Sequence, residues 1–594
     1  MLLGKYINKY YIKYAFYFIV GIIALVAVDY FQLLIPEYIG AIVKSIKDNL
    51  PIDIPKMVFE LVTIGVVMCV GRILWRVALL TTSKKIEGNL RRQMFEKSER
   101  LSQKFYHENK VGTVMAWYTN DLETIEEYFG WGSIMLVDAI FMSILVIIKM
   151  VGLNWALSLV TAIPVLLIII WGGLVEKFMA MKWDKRQKAF DDLYDFVQEN
   201  FTGIRVIKAF VKENQEIKAF AKVAKRNKDV NIDFVRTSVL FDIIIEVICG
   251  LVFAILLGVG GYFVYCYSTN NPVVLFGLII NLQPEELVEF VLYFESLIWP
   301  LIAMGQIISM RSRATASLKR ITEFLDQEED VKNPENAHVL TNVAGRITFN
   351  NFSFMYPDAT SNSLEGVSFE IAPGETVGIV GKIGSGKTTL VNSLLRLYNV
   401  KEGTLFIDGY DIMQCDLASV RNAISYVPQD NFLFSDKVRN NIAFSNLSLE
   451  YEKIEKAAIF AAVHENIVEF NEGYDTISGE RGVTLSGGQK QRVSIARAYV
   501  KEAPIMIMDD SVSAVDVKTE ETILKNIKEQ RSGKTTLVIA SRVSTVMHMD
   551  KILVLNDGKV EAFGTHQELL ETSEIYQRMV FLQELEKEVE GGAR

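Results

Sequence analysis

The sequence predicts two domains suited to different solvents: an all-α membrane domain of six spanning helices, followed by a soluble α/β domain. Three observations carry this expectation. Half of the 594 residues are hydrophobic and the mean hydropathy is positive, too apolar for an ordinary soluble protein and too long for one core. Six apolar stretches of spanning length fill the first half, at about 14–43, 57–80, 131–151, 155–175, 239–266 and 287–308. Beyond a polar stretch at 326–339, DQEEDVKNPENAHV, the chain turns to alternating strands and helices punctuated by glycine. The expected divisions are a membrane domain at 1–325, a linker at 326–340, a soluble α/β domain at 341–582 and a charged tail at 583–594.

About 20 helical residues cross a bilayer, so several of the apolar stretches should continue as helix into the cytoplasm. The second and third spans are separated by about 50 residues and the fourth and fifth by about 60, both rich in Lys and Arg; the other connections are short. Positive residues collect on the cytoplasmic side, so both long connections and the lysine-bearing start MLLGKYINKYYIK face inward. Both termini are therefore expected in the cytoplasm, with the chain in the plasma membrane. The apolar run from Ala15 is long and has no small-residue cleavage site, so it reads as a retained span and not as a signal peptide. Segments 111–123 and 199–210 are expected to lie between helical extensions. A net charge of −9 argues against a nucleic-acid partner, which would call for a basic surface. Cys69, Cys249, Cys266 and Cys415 show neither metal-ligand nor disulfide spacing and read as small buried apolar residues.

In the second half, GETVGIVGKIGSGKTTLVNSLL gives an apolar strand, then Gly381, Gly384, Ser385, Gly386, Lys387, Thr388 and Thr389, then a helix. This is a P-loop in its proper setting. Glycines let backbone N–H groups turn in around phosphate oxygens, Lys387 reaches the β- and γ-phosphates, and the Thr388 hydroxyl ligates Mg2+. Tyr356 can stack on adenine and Gln429 can sense magnesium and water. Ser486, Gly487, Gly488 and Gln489 open another helix, a second anion-binding terminus in a domain that already has one. It is most economically read as gripping a nucleotide held by another domain. Asp509 ends an apolar run, where a strand delivers a magnesium-binding carboxylate, and Asp510 follows it.

In this order the motifs resemble an ATP-binding-cassette exporter half-transporter, six membrane helices of the type IV exporter kind ahead of one P-loop NTPase domain. The resemblance implies that 381–389 is the Walker A loop, Tyr356 the A-loop aromatic, Gln429 the Q-loop, 485–489 (LSGGQ) the signature and Asp509 the Walker B aspartate. It also implies that Glu480 belongs to the X-loop, 513–516 to the D-loop, and 111–123 and 199–210 to coupling helices. ATP and Mg2+ are the implied cofactors. Such cassettes work in pairs, with each ATP held between one P-loop and the other half's signature.

Two residues depart from that pattern. Asp510 stands where the family has the catalytic Glu, and Ser541 in LVIASRVST where it has the switch His; His548 is too far along to serve, and His566 matches a different position. Shortening the carboxylate by one methylene withdraws it by about 1.5 Å, when a misplacement of about 1 Å can cost a hundredfold. A Ser hydroxyl cannot bring positive charge to the developing oxyanions. The expected assembly is a heterodimer, in which this chain's P-loop site is degenerate and its signature completes the partner's competent site. Ionisable residues within the spans, Asp29, Asp138, Lys149, Asp242, Glu246, Glu289 and Glu295, have two readings. They line a water-accessible cavity with a preference for cationic amphiphiles, or several sit at helix ends. Pro36, Pro164 and Pro300 are expected to bend their spans. The expected activity is ATP-driven export of hydrophobic or amphipathic compounds by alternating access, in contact with membrane lipids. A lipid or peptide exporter and an ATP-gated channel or sensor are the alternatives; a soluble DNA-repair ATPase shares the cassette but does not explain the spans.

Overall fold

The computed structural model describes residues 4–48, 51, 53–269, 273–275, 278–479, 482–513 and 515–592. They fall into two compact units, one of residues 1–98 and 111–326, the other of residues 99–110 and 327–594.

The first unit is helical. A short α1 (Asn8–Lys13) precedes α2 (Ala15–Lys47) and α3 (Ile54–Arg100), and the chain bends at α4 (Gln103–Glu108). Next, α5 (Val111–Ala116), α6 (Leu122–Glu127) and α7 (Ser133–Leu153) run on through two π-helical turns, Trp117–Asp121 and Tyr128–Gly132. Then come α8 (Trp155–Thr202), the short α9 (Ile204–Ala209) and α10 (Glu213–Ser268). A small antiparallel hairpin, β1 (Val273–Leu275) and β2 (Leu278–Ile280), leads into α11 (Pro284–Leu325). Among the described residues α2, α3, the run Val111–Leu153, α10 and α11 are long and apolar enough to cross a membrane. The expected span at 155–175 lies in α8, where the side chains of 164–165, 167–170 and 172–177, and so of Pro164, lie outside the described residues, as does that of Asp242 in α10. A 47-residue helix such as α3 is about 70 Å long, more than twice the roughly 30 Å of a bilayer's apolar core, which is why the helices continue beyond it.

Local chemistry sets the turns. Asn154 is extended and its side chain accepts from the Leu157 N–H (2.9 Å), so α8 starts at once after α7. Gln283 and Glu286 form a reciprocal capping box and Pro284 takes the first helical position of α11. The first bend falls earlier than the 111–123 segment expected to make it. Ser102 is extended and precedes α4, whereas 111–123 is already helix. The second short helix, α9, does fall within 199–210. At one end of the unit α2, α7, α10 and α11 share a core that includes Leu33, Val146, Leu256, Phe290 and Phe294. At the other end α9 buries none of its residues, and Phe201, Val206, Phe210 and Val211 are exposed.

The second unit holds two sheets. The strands are β3 (Ile347–Phe354), β4 (Leu364–Ile371), β5 (Thr376–Gly381), β6 (Leu405–Ile407), β7 (Tyr410–Asp411), β8 (Ile424–Val427), β9 (Ile505–Asp509), β10 (Thr535–Ile539), β11 (Lys551–Asn556) and β12 (Lys559–Gly564). A four-stranded antiparallel sheet runs β4-β3-β6-β7. A six-stranded sheet runs β12-β11-β5-β10-β9-β8, parallel except for β12. β9 and β10 are buried along their whole length, which accounts for the apolar runs Ile505–Met508 and Leu537–Ile539 within them. The helices are α12 (Lys387–Leu394), α13 (Leu417–Ala423), α14 (Val438–Ile442), α15 (Tyr451–Phe460), α16 (His464–Val468), α17 (Gly487–Val500), α18 (Val517–Gln530), α19 (Val543–Val546), α20 (His566–Thr572) and α21 (Glu574–Gly592). The bend residues 99–110 belong to this unit: His107 lies 2.9 Å from Asp358 and holds that carboxyl below its ordinary range.

Candidate nucleotide site

Three neighbouring parallel strands end at one edge and deliver the key residues together. β5 ends at Gly381, β9 at Asp509, and β10 at Ile539, two residues before Ser541; β10 lies between the other two. Ligands of open α/β sheets bind at such carboxyl ends. From β5 the chain loops into α12 with Gly384 and Gly386 both at positive φ (+83° and +96°). Gly386 is also sterically required, because a Cβ there would lie 2.6 Å from Leu364 Cδ2 and 2.8 Å from the Ser363 carbonyl. Lys387 folds back over the loop and its Nζ donates to the carbonyls of Gly381 (2.8 Å) and Lys382 (2.9 Å). Burial pulls its ammonium below the ordinary lysine range, with Asp509 and Asp510 acting in the opposite sense.

Asp509 is 2% exposed and its Oδ2 has no hydrogen-bond partner. Burial raises its carboxyl above the ordinary range; the Thr388 hydroxyl bonded to it opposes that shift, Asp510 adds to it and Lys387 opposes it. Ser385 is as deeply buried, and its Oγ is unpartnered too. A buried carboxylate oxygen without a donor, next to a threonine hydroxyl and a lysine, is a donor set that fits a magnesium ion and the phosphates it accompanies. Tyr356 belongs to the same neighbourhood: its hydroxyl donates to Thr389 Oγ1 (3.2 Å), and its ring meets Phe354 and Tyr398 edge to face.

Asp510 adopts a left-handed backbone, φ +46°, held from several sides. Its N–H donates to Ile539 O (3.0 Å), and its carbonyl accepts from Gln491 Nε2 (3.2 Å) and Ser513 Oγ (2.9 Å). Gln429 and Ser541 are exposed, and no described hydrogen bond ties either side chain to the loop. At the other helix start, Ser486 caps α17 and pairs with Gln489 in a capping box: Ser486 Oγ accepts from Gln489 N (3.3 Å), and Gln489 Oε1 accepts from Ser486 N (2.9 Å). Nothing lies within 4 Å of a Cβ built on Gly487, so its lack of a side chain answers no need of this unit and leaves bare backbone open. Glu480 and Ala514 lie outside the described residues; Asp516 caps α18 through Thr519 N (3.0 Å).

One residue of the site escaped the sequence reading. Gln583, in α21, donates to Ser541 O (3.3 Å) and accepts from Val543 N (2.7 Å), tying the chain after β10 to the last helix. Its signal is weak, since a lone glutamine in a charged helix resembles any solvated residue. His548 is exposed, and His566 bonds Tyr576 OH (2.7 Å) in a structural role.

Residues 18–284 match the family model described as ABC transporter transmembrane region and residues 364–513 the one described as ABC transporter. A probable multidrug resistance ABC transporter ATP-binding/permease protein of Bacillus subtilis, YheI, is 35% identical over 100% of this chain and 98% of its own length. The multidrug resistance-like ATP-binding protein MdlA of Escherichia coli is 33% identical over 95% of this chain and 93% of its own. The chain belongs to the ABC transporter family. This transporter is also similar to the solved structure of a bacterial Atm1-family ABC exporter with ATP bound (TM-score 0.74, 25% identity), which covers 97% of this chain and 98% of that one. The transporter therefore has the exporter fold, a helical membrane domain fused to an ATPase domain, and ATP and Mg2+ are its cofactors.

Proposed function

We propose that this chain is one half of a heterodimeric exporter of hydrophobic or amphipathic compounds in the plasma membrane, with its ATPase domain and both termini in the cytoplasm. In this reading 381–389, Tyr356 and Asp509 bind Mg2+ and ATP in a site that cleaves poorly, and Ser486 to Gln489 complete the partner's productive site. The observation that carries it is the pair of short side chains, Asp510 and Ser541, at the ends of adjacent strands. There a longer carboxylate and an imidazole would be needed to orient water and meet the γ-phosphate. The fixed backbone of Asp510 leaves it little freedom to make up the missing methylene. The multidrug names of relatives such as YheI support the cargo class. A second half would cover the exposed apolar residues around α9.

The test is ATPase activity of the purified chain alone against the chain co-expressed with a half-transporter that carries Glu and His at the two positions. Activity only in the mixed assembly supports the proposal, and robust turnover by this chain alone refutes it.

A further inference from the structure

The helical run from α5 to α7 changes pitch twice, at the π turns Trp117–Asp121 and Tyr128–Gly132, with only the six residues of α6 between them. A π turn holds an extra residue, is rare, and collects at functional sites. Each end of α6 is pinned to a different neighbour. At the first π turn Asp121 is buried, and its carboxylate accepts from Ser317 Oγ (2.8 Å), Arg320 Nε (2.8 Å) and Arg320 Nη2 (2.5 Å), all on α11. Arg320 grips both carboxylate oxygens, which fixes angle as well as distance. Beside it the Trp117 ring lies 5.4 Å from that of Phe324, also on α11. Next to the second π turn, Glu126 accepts from Ser83 Oγ (2.8 Å) and lies 3.1 Å from Lys84 Nζ, both on α3. Gly130 comes equally close to α3: a Cβ there would lie 3.0 Å from Ser83 Oγ and 3.2 Å from Leu80 Cδ2. Leu122 and Ile125 of α6 are fully buried.

We propose that α6 and its two π turns form a register switch, clamped to α11 through Asp121 and Arg320, that turns α7 when α11 moves. Passing the extra residue of a π turn along the helix rotates each side chain it passes by about 100° and shifts it by about 1.5 Å along the axis. Packed helices take up such steps as discrete registers and not as a continuous bend. The drive comes through α11, which ends at Leu325, from where the chain continues directly into the ATPase unit. Glu126 and Gly130 hold the far end of α6 against α3, so the step is delivered beyond them, to α7. A buried ion pair adds little net stability, and the use of this one lies in the register it specifies. The switch is the same whether the chain pairs with a different half or with a copy of itself.

The experiment is amide hydrogen exchange on the full-length transporter, in the dimer it forms in the membrane, with and without Mg2+ and a non-hydrolysable ATP analogue. In the unaltered protein the analogue should change exchange at 117–121 and 128–132 by at least about fivefold, while the middle of α7 stays within about twofold. Asp121→Asn should abolish that response at both turns and leave binding of a fluorescent ATP analogue unchanged. Asp121→Glu, which keeps the charge, should retain it. Should Asp121→Asn fail to assemble, Arg320→Met removes the other side of the clamp and carries the same comparison. An unaltered protein whose π turns ignore the analogue overturns the proposal, as does a full response in Asp121→Asn or Arg320→Met. A clamp that served only stability would let exchange at both turns quicken by the same factor with and without the analogue, and that result overturns it too.

Discussion

At Asp510 a left-handed backbone and a short carboxylate coincide. Asp tolerates that conformation better than longer residues, so Asp510→Glu should cost the fold up to about 1 kcal/mol while extending the carboxylate toward a bound γ-phosphate. Combined with Ser541→His, it should raise the ATPase rate of the assembled transporter at saturating ATP by about tenfold or more at this chain's own site. Steady-state hydrolysis with the partner's site disabled measures it, and no gain would mean that Asp510 is not what limits the site. Two further substitutions should differ in severity. On the heterodimer proposed above, Lys387→Ala removes a phosphate contact from the slow site, whereas Ser486→Arg breaks the cap of α17 and puts a bulky cation where the partner's nucleotide would be gripped. Only contacts that improve in the transition state govern chemistry, so the first should slow hydrolysis and transport and the second nearly abolish them. Equal damage from both would argue that this chain's P-loop is itself the productive one. The residue types at 381–389, 509, 510 and 541 were legible in the sequence because phosphate and metal chemistry restrict them so narrowly. The left-handed turn at Asp510 was not, since it follows from hydrogen bonds to Ile539, Gln491 and Ser513, which lie elsewhere along the chain.

Among elements, α21 has a larger part than a charged tail would. By holding Ser541 O and Val543 N, Gln583 restrains the chain that leaves β10 beside the nucleotide edge. Gln583→Ala should leave ATP affinity nearly unchanged but free the Val543 amide, whose hydrogen exchange should quicken in keeping with the loss of a contact of about 1 kcal/mol. Unaltered exchange there would show that the strand end is fixed without α21. Five of the six expected spans were readable from apolar length alone. Their first bend was misplaced: 111–123, expected to lie between helical extensions, is helical along its length. The break comes at Ser102, whose extended conformation precedes the six-residue α4. Periodicity has no purchase on so short an element.

For the whole molecule, the bare tip at α9 sets an expectation about assembly. Phe201, Val206, Phe210 and Val211 cover no core of their own unit. Changing Phe210 to Asp should therefore leave fluorescent ATP-analogue binding intact while lowering ATPase and dye transport together, since a charge in a buried apolar contact costs several kcal/mol. Normal transport by that variant would show that the tip is not covered in the working assembly.

The closed capping box of α17 bears on how a cell holding several such halves keeps them apart. Ser486 and Gln489 satisfy one another within this chain, so the signature is finished before any partner arrives and presents only generic backbone. A surface so complete and so plain cannot tell one nucleotide-bearing neighbour from another. In the heterodimer proposed above, the choice of mate falls to other faces, the exposed apolar residues around α9 among them. Drift at those faces could redraw the pairings within a genome while every phosphate-binding residue stayed as it is.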